Sequence, residues 1–181
     1  MLLRTSNRIS AHSTLSSYTM GFKFEKLSIL VVEDTVPMQK LVTSVLETLG
    51  VGRVWTASDG QAGFEMFCNE NPDIVITDWH MIPVSGIELV NQIRRSDMSP
   101  NKMVPVIMMT GYSALPRVAE ARDEGTTEFL VKPFSANDLA RRIAYVINKP
   151  RDFVDSEDFF GPDRRRRVVE NYQGPRRRST D

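Results

Sequence analysis

The stretch PDIVITDWHMIPVSGIELV, residues 72–90, carries the pattern from which the rest of the chain is read. Ile74, Val75 and Ile76 form a short continuous apolar run, as expected of a strand buried on both faces. The run ends at Asp78. A short loop follows, and then Ser85 with Glu88 three residues on, a capping-box pair that opens a helix. Ile87, Leu89, Val90 and Ile93 give that helix its apolar side. The unit is strand, acid, loop, helix.

The same unit recurs on both sides. Residues 27–32 read as a first strand, ending in Glu33 and Asp34. Val36, Met38, Leu41, Val42, Val45, Leu46 and Leu49 follow mainly at helical spacing, with Pro37 tolerated in the first turn and Gly50 as the stop. Residues 54–57 read as a second strand, followed by a helix over about 59–69. Beyond the opening stretch, residues 104–109 predict a fourth strand ending at Thr110. A helix over about 114–124 comes next, with Pro116 early and Gly125 after its end. Residues 129–131 predict a short fifth strand ending at Lys132 and Pro133. Ser135 and Asp138 repeat the capping pattern before Leu139, Ile143, Val146 and Ile147. Five such units in series imply an α/β fold: a doubly wound, five-stranded parallel sheet with helices on both faces.

In such sheets functional groups collect at the carboxyl ends of the strands. Those ends carry Glu33, Asp34, Asp78, Thr110 and Lys132. Clustered carboxylates repel one another and call for a cation or raised pKa values. The oxygen-rich set favours a hard cation, with Mg²⁺ the best candidate. A carboxylate beside a metal, an ammonium and a hydroxyl is equipped to accept a phosphoryl group.

Length and composition agree with one domain plus two tails. The chain has 181 residues, 23 basic and 23 acidic, with 41% hydrophobic content. No uncharged apolar run approaches the roughly 18–20 residues of a membrane span. The single cysteine, Cys68, excludes an internal disulfide and a thiolate metal cage. It reads as a small buried residue of the second helix. His12 and His80 are too few for a zinc site. These features lead to the expectation of a cytoplasmic protein.

Charge is uneven along the chain. Residues 1–24 hold three basic residues and no acid, residues 25–150 carry a net −4, and residues 151–181 a net +1. Residues 1–24 are expected to be a disordered extension, with Met20 an alternative start to Met1. Residues 25–149 are the expected folded domain. Residues 150–181 read as an Arg-rich, disordered tail, with arginine runs at 164–167 and 176–178, the aromatic residues Phe159 and Phe160 before the first and Tyr172 between the two. Docking on a protein partner and, less favoured, nucleic-acid binding are the alternatives for that tail.

The segments ILVVEDTVPMQKLV, ASDGQAGFEMF, PDIVITDWHMIPVSGIEL, VPVIMMTGYS and EFLVKPFSANDL together resemble the receiver domain of two-component response regulators, the CheY-like family, over roughly residues 26–148. The resemblance implies that Asp78 is the phosphoacceptor. Glu33 and Asp34 would hold Mg²⁺ with Asp78 and the backbone carbonyl of His80, whose ring reads as a surface group. Thr110 would contact the phosphoryl group, Lys132 would pair with it, and a cis peptide is expected before Pro133. Phe129 falls at the position of the aromatic switch, where it can act by packing but lacks a hydroxyl. The loop departs from the commonest pattern at Pro83, one residue late, and at Ser85 in place of a frequent Asp, while Gly86 keeps its distance from Asp78.

The family also implies a protein that is substrate and helper rather than a classical enzyme. A histidine kinase or histidine phosphotransfer protein would be the donor and an unidentified protein the downstream target, with the helix 4–strand 5–helix 5 face as the switch. Monomer or phosphorylation-dependent dimer are both compatible. With 31 residues after Pro150, a stand-alone receiver is expected. The rivals are an aspartate-nucleophile phosphatase, which lacks its D-x-D pair here, and a phosphorylation-independent scaffold acting through the Arg-rich tail.

Overall fold

The computed structural model describes residues 24–111, 118–156 and 159–163. The expected disordered extension up to residue 23, the alternative start at Met20 and both arginine runs lie outside the described residues. Phe24 does not belong to the extension: in a 3-10 turn, Phe24–Lys26, it is buried in the core, and its carbonyl accepts from the Gly52 N–H.

Five strands alternate with five helices: β1 (Ser28–Val32), α1 (Val36–Thr48), β2 (Arg53–Ala57), α2 (Gly60–Glu70), β3 (Ile74–Asp78), α3 (Gly86–Arg95), β4 (Val106–Gly111), α4 (Val118–Asp123), β5 (Glu128–Lys132) and α5 (Ala136–Asn148). The sheet is wholly parallel, in the order β2-β1-β3-β4-β5. The order reverses between β1 and β3, which opens a crevice at their carboxyl ends. β4 begins at Val106 rather than 104, because the Val104 N–H turns back to the Asn101 carbonyl. The first four residues of the helix expected over 114–124 lie outside the described residues.

The central strands are buried on both faces, so each supplies two cores. On one face Leu30, Val32, Val75 and Met108 pack against Phe64 and Phe67 of α2 and Leu89, Val90 and Ile93 of α3. On the other, Val31, Ile76, Ile107 and Met109 pack against Val42 and Leu46 of α1 and Leu139 and Ile143 of α5. Cys68 is half-buried rather than enclosed, with its thiol toward the Met98 carbonyl at 3.5 Å, and burial raises its pKa.

Helix starts follow the expected chemistry. Ser85 and Ser135 each form a full capping box, with Glu88 and Asp138 as the third helical residues. Hydrogen bonds from the Ser135 side chain and backbone, with help from Arg141, hold the Asp138 carboxyl down at about 2.

The expectation of a structureless tail from residue 150 does not hold over its first part. Two antiparallel strands, β6 (Phe153–Ser156) and β7 (Phe159–Pro162), form a hairpin closed by the Asp163 N–H donating to the Asp152 carbonyl at 2.7 Å. The Phe153 and Phe160 rings meet tilted at 45° with centroids 5.7 Å apart, and the Arg94 guanidinium lies 5.2 Å over the Phe153 ring. Averaged composition hid this, because the three phenylalanines come before the arginine runs and have a receptive surface only once the sheet is folded.

Candidate functional site

β3 delivers Asp78 to the carboxyl edge, with its backbone in register with Met109 of β4. The chain then turns sharply, and the Gly86 N–H returns to donate to the Trp79 carbonyl at 3.1 Å. A Cβ on Gly86 would lie 2.0 Å from the Asp78 carbonyl oxygen, so only glycine lets α3 start this close to the strand end. β1 delivers Glu33 and Asp34, which differ in setting: Glu33 is 1% exposed, whereas Asp34 faces solvent. Carboxylate oxygens of Glu33, Asp34 and Asp78 all lie within 4.8 Å of one another.

Lys132 joins this group from the far end of the sheet. Its Nζ donates to Glu33 Oε2 and pairs with Asp78 Oδ1, both at 2.9 Å. Burial opposes the ammonium, but the hydrogen bonds to both carboxylates outweigh it and hold the Lys132 pKa above the ordinary lysine value. Burial pushes the Asp78 pKa up, against the opposing pull of Lys132. Asp78 is therefore a desolvated carboxylate that keeps an ammonium at hydrogen-bond distance.

Two residues that sequence reasoning did not single out position Glu33. The Thr35 hydroxyl and its N–H both donate to Glu33 Oε1, the latter at 3.2 Å. Gln39 donates its amide to the carbonyls of Glu33 and Ala57, tying α1 to the ends of β1 and β2. A threonine two residues after a buried acid was the available signal for the first. Both oxygens of Glu33 are thus engaged, and Asp34 is the open carboxylate.

The other expected residues take different places. Thr110 is fully buried, and its hydroxyl donates to the Gly111 carbonyl at 3.2 Å. Phe129 is half-buried, 6.5 Å from the ring of Trp79, which is itself buried. His80 is exposed, and its ring is not part of the three-carboxylate group. The peptides before Pro83 and Pro133 are both cis. The sheet thus unites Glu33, Asp34, Asp78 and Lys132, and carries Thr110 and Phe129 on the neighbouring strands β4 and β5.

The family described as response regulator receiver domain matches residues 29–144. The chain belongs to the response regulator receiver family. The chemotaxis protein CheY of Pseudomonas aeruginosa is 30% identical over 123 residues, covering 68% of this chain and 98% of that protein. CheY1 of Helicobacter pylori is 32% identical over 122 residues, covering 67% and 97%. Among solved structures, a response regulator receiver domain protein from Clostridium thermocellum aligns with a TM-score of 0.61 at 33% identity, covering 68% of this chain and 95% of that one. The receiver fold is the flavodoxin-like (βα)5 arrangement seen here, and the chain is a two-component signalling protein rather than a classical enzyme. Among the described residues, no helix is long and apolar enough to cross a membrane.

The three carboxylates suit a hard divalent ion. All donors are oxygen, one carboxylate is open to solvent, and their summed negative charge is only partly offset by Lys132.

Proposed function

We propose that this receiver accepts a phosphoryl group on Asp78 from a phosphohistidine of a kinase or phosphotransfer protein. The observation that carries the reading is the single ammonium of Lys132 set 2.9 Å from both Asp78 and Glu33, beside the open carboxylate of Asp34. An Asp78 oxygen attacks phosphorus, the P–N bond to the donor imidazole breaks, and the imidazole leaves with that electron pair. Mg²⁺ held by Asp34 and Asp78, with Glu33 and the His80 carbonyl completing the site, would supply charge neutralisation on the transferring oxygens.

The chain's own groups do the rest. Lys132 pairs with the new dianion and releases part of its hold on Glu33. Thr110 rotates its hydroxyl from the Gly111 carbonyl toward the phosphoryl oxygens. That rotation opens room behind β4, and Phe129 repacks against Trp79, altering the face formed by α4, β5 and α5. This face then distinguishes a downstream protein partner in the two states.

The test is the intact mass of the wild type and Asp78→Asn after incubation with Mg²⁺ and acetyl phosphate. One phosphoryl adduct on the wild type alone is expected. Absence of the adduct on folded wild type, with acetyl phosphate and with a phosphohistidine donor alike, would overturn the reading.

A further inference from the structure

The C-terminal hairpin sits at the pole of the sheet opposite Asp78. Arg151, just before it, pairs with Glu128, the first residue of β5, at 3.8 Å. β7 packs on α3, and the site of a Cβ on Gly161 lies 3.0 Å from the Gly125 Cα. Gly125 lies in the turn after α4, has φ +101° and accepts from Arg94 Nε at 3.0 Å. The hairpin therefore rests on the joint through which α4 connects to β5.

This joint is polar, unlike the two cores. Arg94 is 1% exposed, and its guanidinium is held by the carbonyls of Gly125 and Lys102 and the face of Phe153. Among the described residues, the buried side-chain polar atoms without a hydrogen-bond partner all lie on the segments meeting here: Gln92 Oε1, Arg94 Nη2, Ser99 Oγ, Arg122 Nε and Thr126 Oγ1. Burial lowers the Arg94 pKa to about 9, so the ion stays charged at neutral pH while losing its hydration. Opening the hairpin costs the packing of Phe153 but returns water to the Arg94 guanidinium that it covers. The two effects oppose, which is the condition for a contact that a modest bias can reverse.

We propose that the hairpin is a reversible latch on the α4–β5 joint, closed in the resting receiver and loosened when Asp78 carries a phosphoryl group. The inference rests on the phosphoacceptor reading given above. Repacking of Phe129 moves the α4 side of β5, and Gly125 and Thr126 sit in the middle of the short link, residues 124–127, between that strand and α4. A hairpin seated within contact distance of the Gly125 backbone loses its fit when the link shifts. By reciprocity, loosening the latch favours the phosphorylated arrangement to the same extent. The arginine run at 164–167 follows the hairpin directly in sequence. Opening the latch would thus free its attachment point from the receiver body.

Hydrogen exchange on the full 181-residue chain tests this, with Mg²⁺ and beryllofluoride as the phosphoryl mimic. Peptides containing Asp34 and Asp78 should slow, and the peptide spanning 150–163 should exchange at least about 5-fold faster, the lower end of ordinary coupling. Phe153→Ala should bind beryllofluoride about 5-fold tighter by the same linkage. Gly161→Val, whose side chain would meet the Phe159 ring and the Gly125 backbone, should shift affinity in the same direction. Val154→Ala, at an exposed position, should match the wild type. Slowing at Asp34 and Asp78 with unchanged or slower hairpin exchange would overturn the latch alone, as would unaltered affinity in both hairpin variants. No slowing at either acid would remove the phosphoacceptor reading and the latch with it.

Discussion

Replacing Lys132 with methionine isolates the electrostatics of the site at nearly constant side-chain length. In the wild type one ammonium serves two acids at 2.9 Å each, with side-chain exposures of 21% for Lys132, 1% for Glu33 and 13% for Asp78. Breaking a fully buried ion pair by removing one partner costs about 3–5 kcal/mol. The lysine is partly solvated here, and Glu33 keeps its bonds from Thr35, so a loss of about 2–3 kcal/mol is expected. For a folded unit of this size that corresponds to a fall in Tm of about 5–10 °C.

The sign with pH follows from the shift. The Lys132 pKa is raised on folding, so its contribution is full below the ordinary lysine value of 10.5 and is lost as pH rises through the folded value. At the acid end the gap between variant and wild type should narrow as the carboxylates protonate, since a neutral acid no longer needs the ammonium. Mg²⁺ should restore the variant more than it stabilises the wild type, because it replaces the missing charge. Urea unfolding at neutral and acidic pH, with and without Mg²⁺, reads all of these. A loss below about 0.5 kcal/mol at neutral pH with an unchanged m-value would refute the reasoning.

Other expectations follow from single contacts. Phe67→Ala should cost about 3–5 kcal/mol by urea unfolding, because Phe67 is completely buried between α2 and the sheet. Ser135→Ala should cost about 1 kcal/mol by removing the α5 cap. In the same variant the Asp138 titration, followed by NMR, should rise from about 2 toward the ordinary range; a depressed carboxyl of this kind supports folding at higher pH and loses that support as pH falls through its folded value. Trp79 fluorescence should respond to Mg²⁺ with acetyl phosphate in the wild type and not in Asp78→Asn, and Phe129→Ala should alter the size of the response through the lost ring contact.

The order of elements was legible because each depends on local pattern. The apolar run at residues 74–76, the capping pairs at Ser85 and Ser135 and the glycines after α1 and α4 lie within a few residues of the structure they specify. Their alternation carried the parallel sheet, and the sheet carried the convergence of Glu33, Asp34, Asp78 and Lys132, since strand ends in one parallel sheet share an edge. Even the glycine at 86 could be marked by its distance from Asp78, although not its reason, a carbonyl oxygen 2.0 Å from any added Cβ.

Tertiary structure alone decided the inequality of neighbouring acids. Glu33 and Asp34 stand side by side in sequence, yet one is enclosed and bonded on both oxygens while the other faces water. That difference depends on a lysine 99 residues away and on the threonine and glutamine at the start of α1. The same is true of the two strands that follow residue 150. Phe153 and Arg151 read as solvated composition until α3, β5 and the Gly125 turn are assembled, because Phe153 is received by Arg94, itself held by the carbonyls of Gly125 and Lys102, and Arg151 by Glu128. Periodicity records which side of an element turns inward. Which charge is buried, and what covers it, depends on groups brought together from distant parts of the chain, and so emerges only in the folded molecule.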